Sequence, residues 1–300
     1  MKFKISKSRV ANTRNGLLFT SPFLIGFGVF YLYPFIATFY YSFTSYSLVG
    51  ASRWIGILNY KELFIQDDLF TTSLYNTFYY AALFIPLSLV VGLIIALLLN
   101  TNIKGKSIFR AIYFLPSIIP FVAMGMLWVW ILNSRYGIVN EILRALGLPA
   151  PSWFSDPNWS KPGYVIMSVW ASGQTMIILL AGLTGVPRQL YEVAELDGAN
   201  WLHKIVHITL PLLTPTILFI LIINLIGAFQ IFTQAYIMTD GAPANSTLFY
   251  SLYLYRVSFR YFKMGYGCAM AWILFVIVFT LAWSLFKSSA RWVYYGREEG

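Results

Sequence analysis

Six stretches of this chain, near residues 17–43, 74–99, 111–132, 163–186, 209–239 and 265–286, are mostly apolar, and none contains Asp, Glu, Lys, Arg or His. Runs of about 18 residues or more are long enough to cross the hydrocarbon layer of a membrane, roughly 30 Å thick, as an α-helix. Within lipid only helices and closed barrels satisfy every backbone N–H and C=O. The sequence therefore predicts an all-α, polytopic membrane protein with six transmembrane helices. Composition agrees: 58% of residues are hydrophobic and 11% charged, which excludes an ordinary soluble domain. Pro34, Pro86, Pro116, Pro120 and Pro215 fall inside these spans, where neighbouring helices can satisfy the freed backbone groups.

Basic residues set the expected orientation. With the N-terminus inside, the inner segments hold Lys2, Lys4, Lys7, Arg9 and Arg14, then Lys104, Lys106 and Arg110, then Arg188 and Lys204, then Lys287, Arg291 and Arg297. Against these stand Glu192, Glu195, Asp197, Glu298 and Glu299. The outer loops are longer yet carry fewer basic residues and a near balance of sign, as the positive-inside rule requires. Both termini are expected in the cytoplasm. The net charge of +10 is read as topology; no basic run interleaved with aromatics points to nucleic acid as a partner. The first apolar run is longer than a signal-peptide core and no cleavage pattern follows, so it is expected to remain as a span. Cys268, the single cysteine, lies in the sixth span and is read as a packing residue.

Residues 1–16 read as a basic cytoplasmic tail against anionic lipid, 17–287 as the transmembrane domain, and 288–300 as a second cytoplasmic tail. Outer loops near 44–73, 133–162 and 240–264 are rich in aromatics, among them Trp54, Tyr60, Trp153, Trp159 and Tyr261. Such residues suit a membrane-interface belt, and loops of that size can also dock an external partner.

Between the fourth and fifth spans lies a segment more elaborate than a polar turn needs to be. Pro187 suits the first turn of a helix in which Leu190, Val193, Ala194 and Leu196 form an apolar side and Glu192, Glu195 and Asp197 face outward. Gly198 can take the left-handed conformation that stops this helix, and Asn200 is placed to cap a second one carrying Trp201, Ile205 and Ile208. Pro211 opens the next span. This Glu192–Ala194–Gly198…Ile208-Thr209-Leu210-Pro211 pattern closely resembles the EAA loop of binding-protein-dependent ABC importers, departing only at Val193. The likeness extends from Leu17–Phe23 to Gln234–Gly241, and in that range the chain is similar to maltose and glycerol-phosphate type sugar permease subunits.

The resemblance implies the type I ABC importer transmembrane fold in a prokaryotic cell membrane. It implies as partners a second homologous permease subunit, two cytoplasmic ABC ATPase subunits and an extracytoplasmic solute-binding protein. The loop, 187–208, would couple to the ATPase through Leu190, Glu192, Ala194, Leu196, Gly198 and Trp201, with Glu192 as ion-pair partner, Gly198 as close-approach hinge, and Leu190, Leu196 and Trp201 as apolar anchors. Packing of those anchors on the chain's own helix ends is the competing expectation.

No catalytic or metal site is predicted, and the chain is not expected to be an enzyme. Gly105-Lys106-Ser107 imitates the end of a phosphate-binding loop, but Asn100 stands where the first glycine belongs. His203 and His207 are spaced i, i+4 without the glutamate of a zinc-protease helix or an evident third ligand. The spans carry no carboxylate or histidine for proton or sodium coupling. The chain is therefore expected to bind no cofactor itself, with ATP and Mg used by the partner ATPase.

For the cargo, Asn224, Gln230 and Gln234 fall within an arc of about 120° around Gly227 on a helix. Ser168, Ser172 and Thr175 recur at i, i+4, i+7, with Gln174 beside them. Amides donate and accept, which suits sugar hydroxyls, and Tyr79, Tyr80, Trp128 and Trp170 offer faces for a pyranose ring. The expected cargo is a neutral carbohydrate, an oligosaccharide. The alternatives are glycerol phosphate or another small solute in the same kind of importer, or a nucleotide-independent channel or facilitator. These side chains also serve as hydrogen-bonding glue between helices.

Overall fold

The computed structural model describes residues 7–47, 50–101 and 104–294, with side chains from residue 15 onward. The ends of both expected tails, 1–6 and 295–300, lie outside the described residues. What is described of the tails is largely helical: the first helix begins at Lys7 and the last ends at Trp292.

In chain order the α-helices are α1 Lys7–Phe27, α2 Tyr33–Ser42, α3 Leu58–Ile65, α4 Asp68–Asn100, α5 Lys106–Phe114, α6 Phe121–Ile131, α7 Ile138–Ala145, α8 Pro157–Trp170, α9 Gly173–Thr184, α10 Arg188–Leu196, α11 Trp201–Lys204, α12 Leu210–Phe229, α13 Thr233–Met238, α14 Tyr250–Tyr255 and α15 Met264–Trp292. Among the described residues the only β pairing is an isolated bridge between Thr44 and Trp54. Among the described residues four helical runs are long and apolar enough to cross a membrane: Asn15–Ser42, Asp68–Asn100, Trp201–Met238 and Met264–Trp292.

The third and fourth predicted spans are not continuous helices. The third is Lys106–Ile118 followed by Phe121–Ile131, bent by 100°, and the fourth is Pro157–Trp170 followed by Gly173–Thr184, bent by 43°. The first bend has a local cause. Pro116 and Pro120 donate no hydrogen bond, and Pro120 drives Ile119 to an extended conformation (ψ 128°). The second bend lies at Ala171–Ser172, where a Cβ on Gly173 would come within 2.6 Å of the Tyr113 carbonyl oxygen. The two breaks therefore pack on one another. The fourth segment also starts earlier than predicted, at Pro157, with Asp156 capping it by accepting from the Asn158 N–H. That brings Lys161 onto a span-forming helix, a cation the predicted boundary at 163 had left outside.

Contacts divide the chain into two compact units: one formed before Asp67 together with Arg256–Ile273, the other by Asp67–Tyr255 and the residues from Leu274. In the first unit, Trp272 packs against Phe35 and Phe39, each at 4.7 Å. Buried Asn59 donates to the carbonyls of Ser42 and Thr44. In the second unit α4, α9 and α12 form the core through Ala96, Leu99, Met176, Leu179, Leu180, Leu183, Leu213 and Ile220. Lipid is as apolar as leucine, so close packing and not the hydrophobic effect holds such helices together. Glycines provide the closeness. A Cβ on Gly92 would lie 2.8 Å from Thr175 Cγ2, and one on Gly182 would lie 2.8 Å from Thr216 Oγ1.

Gly92→Val is expected to force α4 from α9 and destabilise the protein by about 1–3 kcal/mol. Gly227→Ala, at a helical glycine whose Cβ would meet nothing within 4 Å, serves as the control. Thermal unfolding of both variants in detergent checks the difference.

Candidate functional site

Three interruptions of helical backbone meet at one cavity. Its lining includes Phe121, the first residue of α6 after the break from α5, Ala171 and Ser172 from the break between α8 and α9, and Gln230, Ile231 and Phe232 from the break between α12 and α13. Tyr80, Phe84 and Ser88 of α4, Ser168, Gln174 and Thr175 beside the second break, and Asn224, Gly227 and Gln234 beside the third complete most of its wall. The volume is about 370 Å³, at the small end of the range for a small-molecule site. No lining residue is ionisable apart from Tyr80.

The wall is partly satisfied and partly free. Tyr80 Oη donates to Ser168 Oγ at 2.9 Å, Ser88 and Thr175 share a contact of 3.4 Å, and Asn224 Nδ2 donates to Ser88 Oγ at 3.5 Å. Ser172 Oγ donates to the Val169 carbonyl within its own helix end. Among the described residues the side-chain amides of Gln174, Gln230 and Gln234 have no hydrogen-bond partner, so three donor–acceptor groups remain for a ligand. Tyr80 and Phe84 stack in parallel at 5.4 Å and supply a flat apolar face.

The structure brings Ser172, Gln174, Asn224, Gln230 and Gln234 together here, though the expected continuous helical arc is cut at Gln230. Tyr79 and Trp128 do not line the cavity. Tyr79 is turned toward Tyr75, its centroid 6.3 Å away, and Trp128 is buried edge-on against Trp170 at 5.6 Å. Sequence reasoning missed Phe121 and Phe232. Pro120 was the available signal for the first, since a proline break exposes the residue after it.

The loop between α9 and α12 is a second candidate site. Residues Arg188–Leu196 are helical, and Gly198 adopts φ +78°. The Ala199 N–H donates to the Ala194 carbonyl at 2.9 Å and the Gly198 N–H to the Glu195 carbonyl at 3.1 Å, the paired bonds of a Schellman ending. Asn200 Oδ1 then accepts from the His203 N–H at 2.8 Å and starts α11. Lys204 Nζ pairs with Glu195 at 2.6 Å, and the Tyr191 and Thr209 hydroxyls meet at 2.9 Å, so the two arms are braced. Leu190, Leu196 and Trp201 are 43%, 89% and 69% exposed, and the Glu192 carboxylate has no ion-pair partner among the described residues. The His203 and His207 rings stack at 4.1 Å. The loop's two arms are capped and cross-braced, and Leu196 and Trp201 are largely unburied by the chain's own helices.

The sequence matches, over residues 88–293, the family described as "Binding-protein-dependent transport system inner membrane component". The chain belongs to this family. The permease is 42% identical to the probable ABC transporter permease protein YesP of Bacillus subtilis (strain 168), over 98% of this chain and 97% of that one. It is 34% identical to the arabinooligosaccharides transport system permease protein AraP of the same organism, over 88% and 85%. It superposes with a TM-score of 0.81 and 25% identity on a chain of a bacterial alginate ABC transporter in complex with an alginate pentasaccharide-bound periplasmic protein, covering 93% of this chain and 96% of that one. The fold of the permease is that of a type I ABC importer transmembrane domain, and the protein is a multi-helix membrane component.

Leu196→Asp is expected to leave the fold and membrane level of the permease unchanged, because the side chain packs on nothing within it. Gly198→Val should cost about 1–2 kcal/mol of loop stability by placing a side chain at positive φ. Hydrogen exchange of the loop and the membrane level of each variant check these outcomes.

Proposed function

We propose that this chain forms half of the translocation pathway of an ATP-driven importer for a carbohydrate, with the cavity at the three helix breaks as the transient sugar site. The observation that supports it most is the cavity's chemistry: free amides beside an aromatic face, with no carboxylate, ammonium or guanidinium in its wall. Hydroxyls of a pyranose meet Gln174, Gln230 and Gln234, and its apolar face meets Tyr80 or Phe84. Relatives such as the arabinooligosaccharide permease support an oligosaccharide as cargo.

The partners proposed are a second permease, two cytoplasmic ATPase subunits and an external binding protein. The alginate transporter, solved with its periplasmic protein, supports the last of these. In this reading both termini and the 187–208 loop are cytoplasmic, ATP and Mg are bound by the ATPase, and Leu190, Glu192, Leu196 and Trp201 seat in it. Gly198 gives the turn that lets both short helices reach the ATPase together. The chain binds no cofactor and turns over no substrate itself. A facilitator that needs no nucleotide leaves the exposed Leu196 and Trp201 without a role.

The test uses the complex purified from its native membrane through this chain and reconstituted in liposomes, with uptake of a panel of labelled oligosaccharides. ATP-dependent uptake of at least one is the expected result. Gly227→Leu, which puts a side chain into the cavity without a clash at Cβ, should lower it by about tenfold or more, some 1.4 kcal/mol. The Gln230→Leu, Gln234→Leu double variant should lower it comparably. Normal uptake in both variants overturns the cavity as the pathway. Loss of the ATPase from the complex carrying Leu196→Asp is expected, and its retention overturns the loop's coupling role.

A further inference from the structure

Lys161 carries the one ammonium on the helix pair α8–α9, and among the described residues no carboxylate faces it. Its Nζ donates to Asn76 Oδ1 and to the Ser246 carbonyl, each at 3.3 Å. It also lies 5.3 Å from the centroid of the Tyr79 ring and 5.7 Å from that of Tyr75. The cation is thus held by two neutral acceptors and two π faces, all of which fix its position and none of which neutralises it. A half-buried charge ordinarily has a counter-ion, and an ammonium with three donors and two acceptors has one N–H left for it.

Its place in the fold says where that counter-ion comes from. Lys161 and cavity-lining Ser168 are spaced i, i+7 on α8, and so share a face, about 10 Å apart along the axis. On α4, Asn76 and cavity-lining Tyr80 are spaced i, i+4. The contact of Asn76 with Lys161 and that of Tyr80 with Ser168 at 2.9 Å are therefore successive rungs between the same two helices. Tyr75, 62% exposed, and half-buried Tyr79 stand on α4 beside the upper rung.

We propose that Lys161, Tyr75 and Tyr79 form a carboxylate-binding saccharide subsite one rung beyond the cavity, at which a uronate unit of the cargo is recognised. The ammonium receives the sugar carboxylate through its remaining N–H, and a tyrosine face receives the ring. Asn76 and Ser246 act as positioning groups that aim Nζ. This inference rests on the carbohydrate reading and departs from the neutral cargo expected from charge-free spans, because Lys161 lies on the helix Pro157–Trp170: the cavity meets hydroxyls and is indifferent to charge, while the subsite beyond it favours acidic sugars.

The experiment labels the lysines of the intact complex in nanodiscs by reductive 13C-dimethylation, which keeps the positive charge, and assigns the Lys161 resonance with Lys161→Arg. Trigalacturonate is titrated against its fully methyl-esterified form and against maltotriose, while 19F tags on the cavity wall report saccharide entry. The expected result is a saturable shift of Lys161 with trigalacturonate alone. In Tyr75→Ala and in Tyr79→Leu the apparent affinity should fall severalfold. For Lys161→Met, followed by the 19F tags, trigalacturonate should bind about tenfold more weakly and maltotriose as before. A silent Lys161 while the cavity tags respond overturns the subsite and leaves the carbohydrate reading standing. So does an equal shift with the methyl ester, or with sodium acetate at matched carboxylate concentration. A complex whose tags answer to no saccharide overturns the carbohydrate reading and the subsite with it.

Discussion

Backbone that leaves the helix inside a membrane must find its hydrogen bonds in protein or in a water-lined cavity, and the rest of this structure follows from how that requirement is met. Non-helical backbone facing lipid is prohibitive. The breaks at Ala171–Ser172 and Gln230–Phe232 line one space, and Phe121, the residue after the Ile119–Pro120 break, reaches the same space. Each break also exposes polar groups that a regular helix would hide. The cavity and the broken helices are thus one feature: the polarity needed to handle a hydrophilic solute comes at the same places where the backbone itself has become polar.

The same logic explains how much of the molecule was legible in its sequence. The continuous spans were plain, because a charge-free run the length of a bilayer has one solution, and α4 and α15 fall where hydropathy puts them. The loop was plain as well. Pro187, Gly198 and Asn200 act through local backbone chemistry, so the helix, the Schellman ending and the new cap at Asn200 could be read without tertiary knowledge. The bends were harder. Pro116 and Pro120 were visible, but Pro34, Pro86 and Pro215 were equally visible and lie within helical runs that stay long enough to cross a membrane. Two prolines four residues apart and the close packing of Gly173 on the Tyr113 carbonyl accompany the break, and the second of these is a tertiary contact that the sequence does not display. Tyr79 and Trp128 illustrate the other limit. Neighbouring residues on a helix differ by about 100°, so sequence alone could not choose Tyr80 over Tyr79 for the cavity.

Where the loop and the cavity sit along the chain constrains how the proposed coupling between them would run. Trp201–Met238 forms a helical run of 38 residues that begins in the loop and carries Asn224 and Gln230 to the cavity wall. Between α11 and α12 the backbone passes through a single wide turn, Ile205–Thr209, and stays helical. The Thr209 hydroxyl there meets the Tyr191 hydroxyl of α10, so both arms of the loop are tied to the foot of α12. The Glu195–Lys204 pair is exposed on its acidic side and contributes little by itself to stability, but it spans the turn and restricts splaying. A displacement imposed on Trp201 would accordingly reach α12 along continuous helical backbone, whereas one imposed on Leu196 must cross the turn at Gly198 and would reach α12 through the Tyr191–Thr209 and Glu195–Lys204 contacts.

At the far end of the cavity the arrangement is different in kind. The segment after α13 is stitched to α4 and α8 by short polar bonds. Asn76 Nδ2 donates to the Asn245 and Leu248 carbonyls, the Ser160 and Ser246 hydroxyls meet at 2.8 Å, the Tyr250 N–H donates to the Thr77 hydroxyl, and the Tyr164 and Thr239 hydroxyls meet at 2.9 Å. Three of these five bonds, to the Leu248 carbonyl, between Ser160 and Ser246 and between Tyr250 and Thr77, are buried, and a buried group left unsatisfied costs about 1–3 kcal/mol. α4, α8 and the 239–250 segment therefore move together or not at all at this level. Motion delivered through α12 has to be taken up at the third break, Gln230–Phe232, which lies between the stiff helix below and the stitched block above. That break carries the free Gln230 amide and part of the cavity wall, so a change in the angle between α12 and α13 alters the cavity itself. If the cavity is the sugar site proposed above, the residues that meet the solute and the joint that admits it are the same few.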